Sequence, residues 1–120
     1  MNKIQALNSF WNGFNWKAYD AISVPEDISF PYITYESTSD EFGYPVAQTI
    51  SLYDRSTSWK TVEEKQLSIS DVIGRGGIMI LYDDGSLWIK KASPWSQRIA
   101  DLEDDAVRRI VLNIEVEFID

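Results

Sequence analysis

In the stretch RRIVLNIEVEF (108–118), Ile110, Leu112, Ile114, Val116 and Phe118 form one apolar set. The residues between them are Arg109, Val111, Asn113, Glu115 and Glu117. A two-residue period of this kind predicts a long strand with one face buried and the other turned to solvent. Two other stretches repeat at three and four instead. Ile4, Leu7, Trp11 and Phe14 predict a short helix, stopped at Asn12-Gly13, where glycine tolerates the left-handed conformation that ends helices. Trp59, Val62, Gln66, Ile69 and Ile73 predict a second helix, with Ser56-Thr57-Ser58 offering cap oxygens and Gly74 closing it. Gln66, the polar member, is placed at the edge of that stripe, and Trp11 and Trp59 are assigned to the core.

The remaining apolar runs are short and rich in aromatic and β-branched residues, as strands are. They cover 30–36, with Pro31 near the start, 46–54, 77–82 and 87–91. Asp83-Asp84-Gly85-Ser86 reads as a tight hairpin turn. Residues 15–30 read as an irregular surface crossing, 37–45 as the polar tip of a hairpin, and 92–106 as a long connection. The expected fold is a single α+β domain: an antiparallel sheet of four to five strands, two helices packed on one face, in the order α-β-β-α-β-β-β.

The 120 residues allow one core and little more. No apolar run nears the roughly 18 residues of a membrane helix, and the first residues, MNKIQALNSFWNGF, lack the layout of a secretion signal, so a cytoplasmic chain is expected. Cysteine and histidine are both absent. That removes disulfides, thiolate metal sites and every nucleophile that relies on a histidine base. No cofactor is expected. The net charge of −8 is unevenly spread: seven acids and two bases lie in 1–54, five and seven in 55–100, and seven and two in 101–120. An acidic chain is poorly suited to gripping nucleic acid, whose affinity comes from neutralised phosphates.

Three patterns invite a chemical reading. "GRGG" (74–77) holds three of the six glycines. A phosphate loop follows a strand and opens a helix; these glycines follow a helix, at its negative end, and read as cap and turn. The acidic doublets Glu26-Asp27, Glu63-Glu64, Asp83-Asp84 and Asp104-Asp105 lack calcium-loop spacing, and adjacent residues diverge in direction. Lys90-Lys91 with Trp88 and Arg98 forms a small basic and aromatic patch, weak support for nucleic acid in so acidic a protein. Trp95, after a proline in a polar connection, suits either a cover over the core or an interface anchor.

The stretches "VPEDISFPYITY" (24–35), "TISLYDRSTSW" (49–59), "YDDGSLWIKK" (82–91) and "RRIVLNIEVEF" (108–118) together carry a resemblance that spans essentially the whole chain. With them the sequence resembles the tail terminator proteins of long-tailed bacteriophages and prophages, which complete the tail and join it to the head. The resemblance implies a non-enzymatic assembly protein that forms a ring with copies of itself, typically six. The ring caps the tail tube protein and meets the head-tail connector protein. DNA would pass through its lumen without specific binding, with no membrane involved, in the host cytoplasm and then in the virion. An acidic lumen suits that task because it does not hold phosphate in transit.

The resemblance supplies no residue motif, so interface candidates come from charge and expected exposure alone. They are Arg55, Arg75, Arg98 and Trp95 on one face, Asp101, Asp104 and Asp105 as the acidic counterpart, and the hairpin tip at Asp40 and Tyr44. Other readings are another neck or minor capsid component, a carbohydrate-binding module using the tryptophans, and, last, a carboxylate metalloenzyme.

Overall fold

The computed structural model describes residues 1–37, 44–101 and 103–119. Its centre is the strand read from the alternation, here β6 (Val107–Ile119). Ile110, Leu112, Ile114, Val116 and Phe118 are fully buried on one side of it. Burying one complete file of side chains needs a partner strand on each side. β3 (Val46–Arg55) runs antiparallel along one edge of β6, from Val46↔Val116 to Arg55↔Val107. β5 (Gly85–Ala100) runs antiparallel along the other, from Ser86↔Ile119 to Ala100↔Arg108.

The expected sheet of four to five antiparallel strands is corrected by the structure: there are six strands, mixed in direction, ordered β1-β2-β3-β6-β5-β4. The additional strand is β1 (Lys17–Asp20), which pairs parallel with β2 (Tyr32–Tyr35). With four residues and only Ala18 buried, it has no readable period. β5 is also far longer than the apolar run at 87–91. Its ladder shifts register between Lys91 and Ser96, so Pro94 falls in the irregularity, where no N–H is required. The stretch 92–100, expected to be a connection, is mostly sheet. β4 (Ile78–Tyr82) and the Asp83-Asp84 turn complete the hairpin with β5.

The helices correct the expectation too. The sheet curls into a half-barrel, and the two helices are not laid side by side on one flat face. α2 (Lys60–Ile73) lies within the curl against β3, β6 and β5. α1 (Lys3–Asn12) instead spans the open side, touching β1 and β4, the two edge strands. Leu7 and Trp11 of α1 meet Val62, Ile69 and Ile73 of α2 in one core with the inner faces of the strands.

Local chemistry explains the helix ends. Asn2 and Gln5 form a reciprocal capping box at the start of α1. Gly13 closes α1 in a right-handed conformation, and the left-handed residue is Asn15 (φ 67°). α2 starts at Lys60, whose N–H donates to Ser58 Oγ at 3.1 Å, with Trp59 as the capping position. Gly74 (φ 71°) ends it as expected, and Gly77 has a second constraint: a Cβ there would lie 2.6 Å from the Ile89 carbonyl oxygen. Gln66 is not at the edge of its stripe. It is buried, and its Oε1 accepts the indole N–H of Trp95 at 2.8 Å, so Trp95 covers the core by a directed bond.

Because Ile110 is fully buried in the core between its partners on β3 and β5, Ile110→Ala should lower unfolding stability by ~2–5 kcal/mol. Leu67→Ala, on the exposed face of α2, should change it by less than ~0.5 kcal/mol. Urea denaturation of the two variants checks both figures.

Candidate interaction surface

Pairing Arg55 with Val107 and Ala100 with Arg108 brings the ends of β3 and β5 to the start of β6. The first turn of α2, Asp101 and the turn at 103–106 close over the same end. Charged and aromatic side chains from five places in the sequence therefore meet there. Arg55 Nη1 donates to Asp104 Oδ2 at 2.6 Å, and the Arg55 guanidinium lies 4.8 Å from the centre of the Phe30 ring. Arg98 Nη2 pairs with Glu63 Oε2 at 3.3 Å. The Arg98 and Arg108 guanidiniums both lie over the Trp59 ring, at 4.8 and 5.4 Å. Arg108 also donates to the main-chain oxygens of Asp105 and Thr57, at 2.6 and 3.2 Å, and so ties the turn to the start of α2.

The acidic turn is a folded structure in its own right. Asp101 Oδ1 accepts the N–H groups of Glu103 and Asp104 at 2.9 and 3.0 Å, and Asp104 Oδ1 accepts that of Ala106 at 3.0 Å. The Ala106 N–H, followed by the Arg55 guanidinium, holds the Asp104 carboxyl below its usual range. Asp105 offers its main-chain oxygen to Arg108 while its side chain is exposed.

Of the residues singled out by charge, the structure gathers Arg55, Arg98, Asp101, Asp104 and Asp105 at this one end. Arg55 and Asp104, assigned to opposing surfaces, are bound to each other within the chain. Trp95 sits further along the inner face, with the Lys91 ammonium 5.3 Å from its ring. Arg75 stands apart, exposed beyond the far end of α2. Tyr44 is exposed at the opposite end of β3, and Asp40 lies outside the described residues.

Sequence reasoning missed Trp59 as a guanidinium platform, and Arg108 and Glu63 with it. It also missed a cluster on the outer face of the sheet. Tyr32 and Tyr53, opposite each other on β2 and β3, stack at 4.6 Å and 16°. Arg109, next across on β6, lies 5.2 Å from the Tyr53 ring and donates to Ser51 Oγ at 3.0 Å. This cover buries Ser51 on a solvent-facing side. Burial, then the neighbouring Tyr53, raises the pKa of the Tyr32 hydroxyl. Strand register was needed to see either cluster.

Concavities also mark the surface. A cleft of about 870 Å³ between α1 and β1 is lined by Ile4, Asn8, Tyr19, Asp20 and Tyr35 among others. A smaller one of about 390 Å³ lies over Ser51, Tyr53 and Arg109. In the first, Asn8 donates to the Tyr35 hydroxyl oxygen, and Asp20 accepts from Ser37 and the Ile22 N–H. These hydrogen bonds hold the backbone and rings in place. Among the described residues no three carboxylates gather to hold a metal ion, and no helix is long and apolar enough to cross a membrane.

A carboxyl with a lowered pKa contributes stability above the unfolded value of about 4, and that contribution fades as the pH falls through the lower folded value. Asp104→Asn should therefore melt below the parent protein at neutral pH, with the gap narrowing as the pH drops below about 4. Melting temperatures measured from pH 7 to pH 3 test this. A gap that does not change with pH would assign the effect to packing instead of charge.

The sequence matches no protein-family model and no curated protein. The fold does have a counterpart among solved structures. A chain in the virion of a native gene transfer agent particle is similar with a TM-score of 0.58, over 94% of this chain and 84% of that one. The two sequences are 20% identical, and the likeness is one of fold.

Proposed function

We propose that this chain is a structural component of a phage-like virion, and within it the terminator that caps the tail tube and joins it to the head connector as a ring of copies. The observation that carries this reading is the fold likeness to a virion chain, because it takes in 94% of this chain. The sequence resemblance to tail terminators points the same way and supplies the finer role, including a ring of six. The ring assembles in the host cytoplasm and then belongs to the virion.

The surface fits an assembly role better than catalysis. At the Arg55–Asp104 end, charged groups fix backbone turns and aromatic faces, and that produces a shaped, rigid docking end. The net charge of −8 suits a passage that DNA crosses without being held. Another neck component of the same kind of particle shares each of these supports and differs only in the partner it meets.

Native mass measurement of the purified protein, alone, with assembled tail tubes and with the head connector, separates these readings. A ring, or a monomer that joins the tubes and stops their growth, fits the terminator. Binding to the head connector alone fits another neck component, and indifference to both overturns the virion reading. Asp105→Lys reverses an exposed charge while sparing the bonds made by Asp101 and Asp104. It should leave stability within ~0.5 kcal/mol and weaken tube capping by about tenfold, equivalent to ~1.4 kcal/mol of docking energy. Melting and capping assays on that one variant check the two outcomes separately.

A further inference from the structure

The two edges of the sheet are finished differently. At β1, the Ala18 N–H donates to Asn12 Oδ1 at 2.9 Å, and its carbonyl oxygen accepts from Asn12 Nδ2 at 3.3 Å. At β4, the tight turn makes Tyr82↔Gly85, Ile80↔Leu87 and Ile78↔Ile89 the bonded pairs, so the N–H and C=O groups of Met79 and Leu81 face outward. They receive no backbone partner among the described residues. The side chains of Ile78, Ile80 and Tyr82 pack toward the core, whereas Met79 and Leu81 lie on the outer face, 49% and 78% exposed. A bare edge strand with apolar side chains is a template for another strand.

The strand that fits this template best is β4 itself. An antiparallel copy centred on Ile80 sets Met79 against Leu81 and Leu81 against Met79, so outward backbone groups meet outward backbone groups on both chains. It uses the strand from Ile78 to Tyr82 in full and nothing beyond it. A shift of one residue would set outward groups against groups already bonded to β5. A shift of two fails at one end or the other. It sets Leu81 against Gly77, where the chain leaves the edge at a φ of 85° and presses on Trp88 and Lys90, or Met79 against Asp83, whose N–H is bonded to the Met1 carbonyl. Charge selects the same register. Arg75, in the turn before β4, and Asp84, in the turn after it, are both exposed, and neither forms an ion pair among the described residues. Centring on Ile80 brings Asp84 of each copy opposite Gly76 of the other, next to Arg75.

We infer that two copies of this chain pair through β4, antiparallel and centred on Ile80, so that one sheet runs through both. Four apolar side chains, Met79 and Leu81 from each copy, then gather on the outer face, and an Arg75–Asp84 contact flanks the ladder at each end. The contact is isologous: it closes on itself and adds no third copy. It goes beyond the proposed virion role and does not rest on it, because a ring of copies is built by a different, heterologous contact that this pairing leaves available.

The chain has no cysteine, which makes the test clean. Single variants Met79→Cys and Leu81→Cys, one of them lengthened by a tag, would be mixed, oxidised and resolved by denaturing electrophoresis. Disulfides form only where Cα atoms approach within about 7 Å. Residues directly opposite each other meet that limit, and diagonal neighbours stand about 7–8 Å apart. The expected product is a mixed 79–81 dimer, about fivefold more abundant than either self-dimer. Met79→Cys mixed with Leu67→Cys, whose thiol lies on the exposed face of α2, sets the level of chance collision. Light scattering over a range of concentrations should show Arg75→Glu weakening the pair about tenfold, and Asp84→Arg in the same chain restoring it. A mixed dimer no more abundant than the collision control overturns the pairing, and self-dimers in excess of the mixed one overturn its register. If tail tubes are added and the thiols cross-link to a cysteine-bearing tube protein in place of each other, the edge belongs to another protein's strand and the pairing is overturned.

Discussion

The fold depends on one requirement: five large side chains on a single face of β6 must be taken out of water together. Ile110, Leu112, Ile114, Val116 and Phe118 stand in one file, so no single neighbour can cover them. β3 and β5 flank the strand, and α2 lies across all three. At roughly 1.5–3 kcal/mol for each fully buried aliphatic or aromatic side chain, this file is a strong drive to fold. The curl follows from it. A twisted sheet that wraps a helix bends toward closure, and here the edges stop short of pairing. α1 then bridges the opening, with Trp11 reaching the core and Asn12 holding the main chain of β1.

What was legible in the sequence tracks how many residues repeat a pattern. β6 and α2, with five regular positions each, were read in place. β1 has four residues and one buried side chain, so period alone cannot separate it from a loop. The far half of β5 was hidden by Pro94 and by the shift of register that accommodates it. Gln66 was read as a polar flaw in a stripe, yet the Trp95 N–H makes it an ordinary satisfied core group. Its partner lies 29 positions away, and sequence spacing cannot announce such a pair.

The charged end shows the same limit. Arg55 and Asp104 are far apart in the chain and were placed on facing surfaces because one stretch is basic and another acidic. Register decides otherwise: Arg55 sits opposite Val107, and the turn before Val107 carries Asp104. Arg98 and Arg108 likewise converge on Trp59 because both strand ends reach the start of α2. The charge of a segment measures what is available for pairing, and topology determines whether the pairing occurs within the chain. Charges left over after that internal pairing are the ones free to act on a partner. Asp105 and Arg75 are of this kind, and Arg55 and Asp104 are not.

That distinction orders the surfaces by role. The Arg55–Asp104 end is rigid because its acids are bound to backbone N–H groups and its guanidiniums lie on aromatic rings. A rigid end loses little conformational entropy on docking, so it suits contact with a preformed partner. The sheet edges differ from it and from each other. β1 is closed by a side-chain amide that imitates a neighbouring strand, and β4 keeps its polar main chain and two apolar side chains in water. The difference lies in whether a group of the same chain comes within reach of the outward backbone: Asn12 does so at β1, whereas at β4 the Met1 carbonyl meets Asp83 and no backbone partner meets Met79 or Leu81 among the described residues.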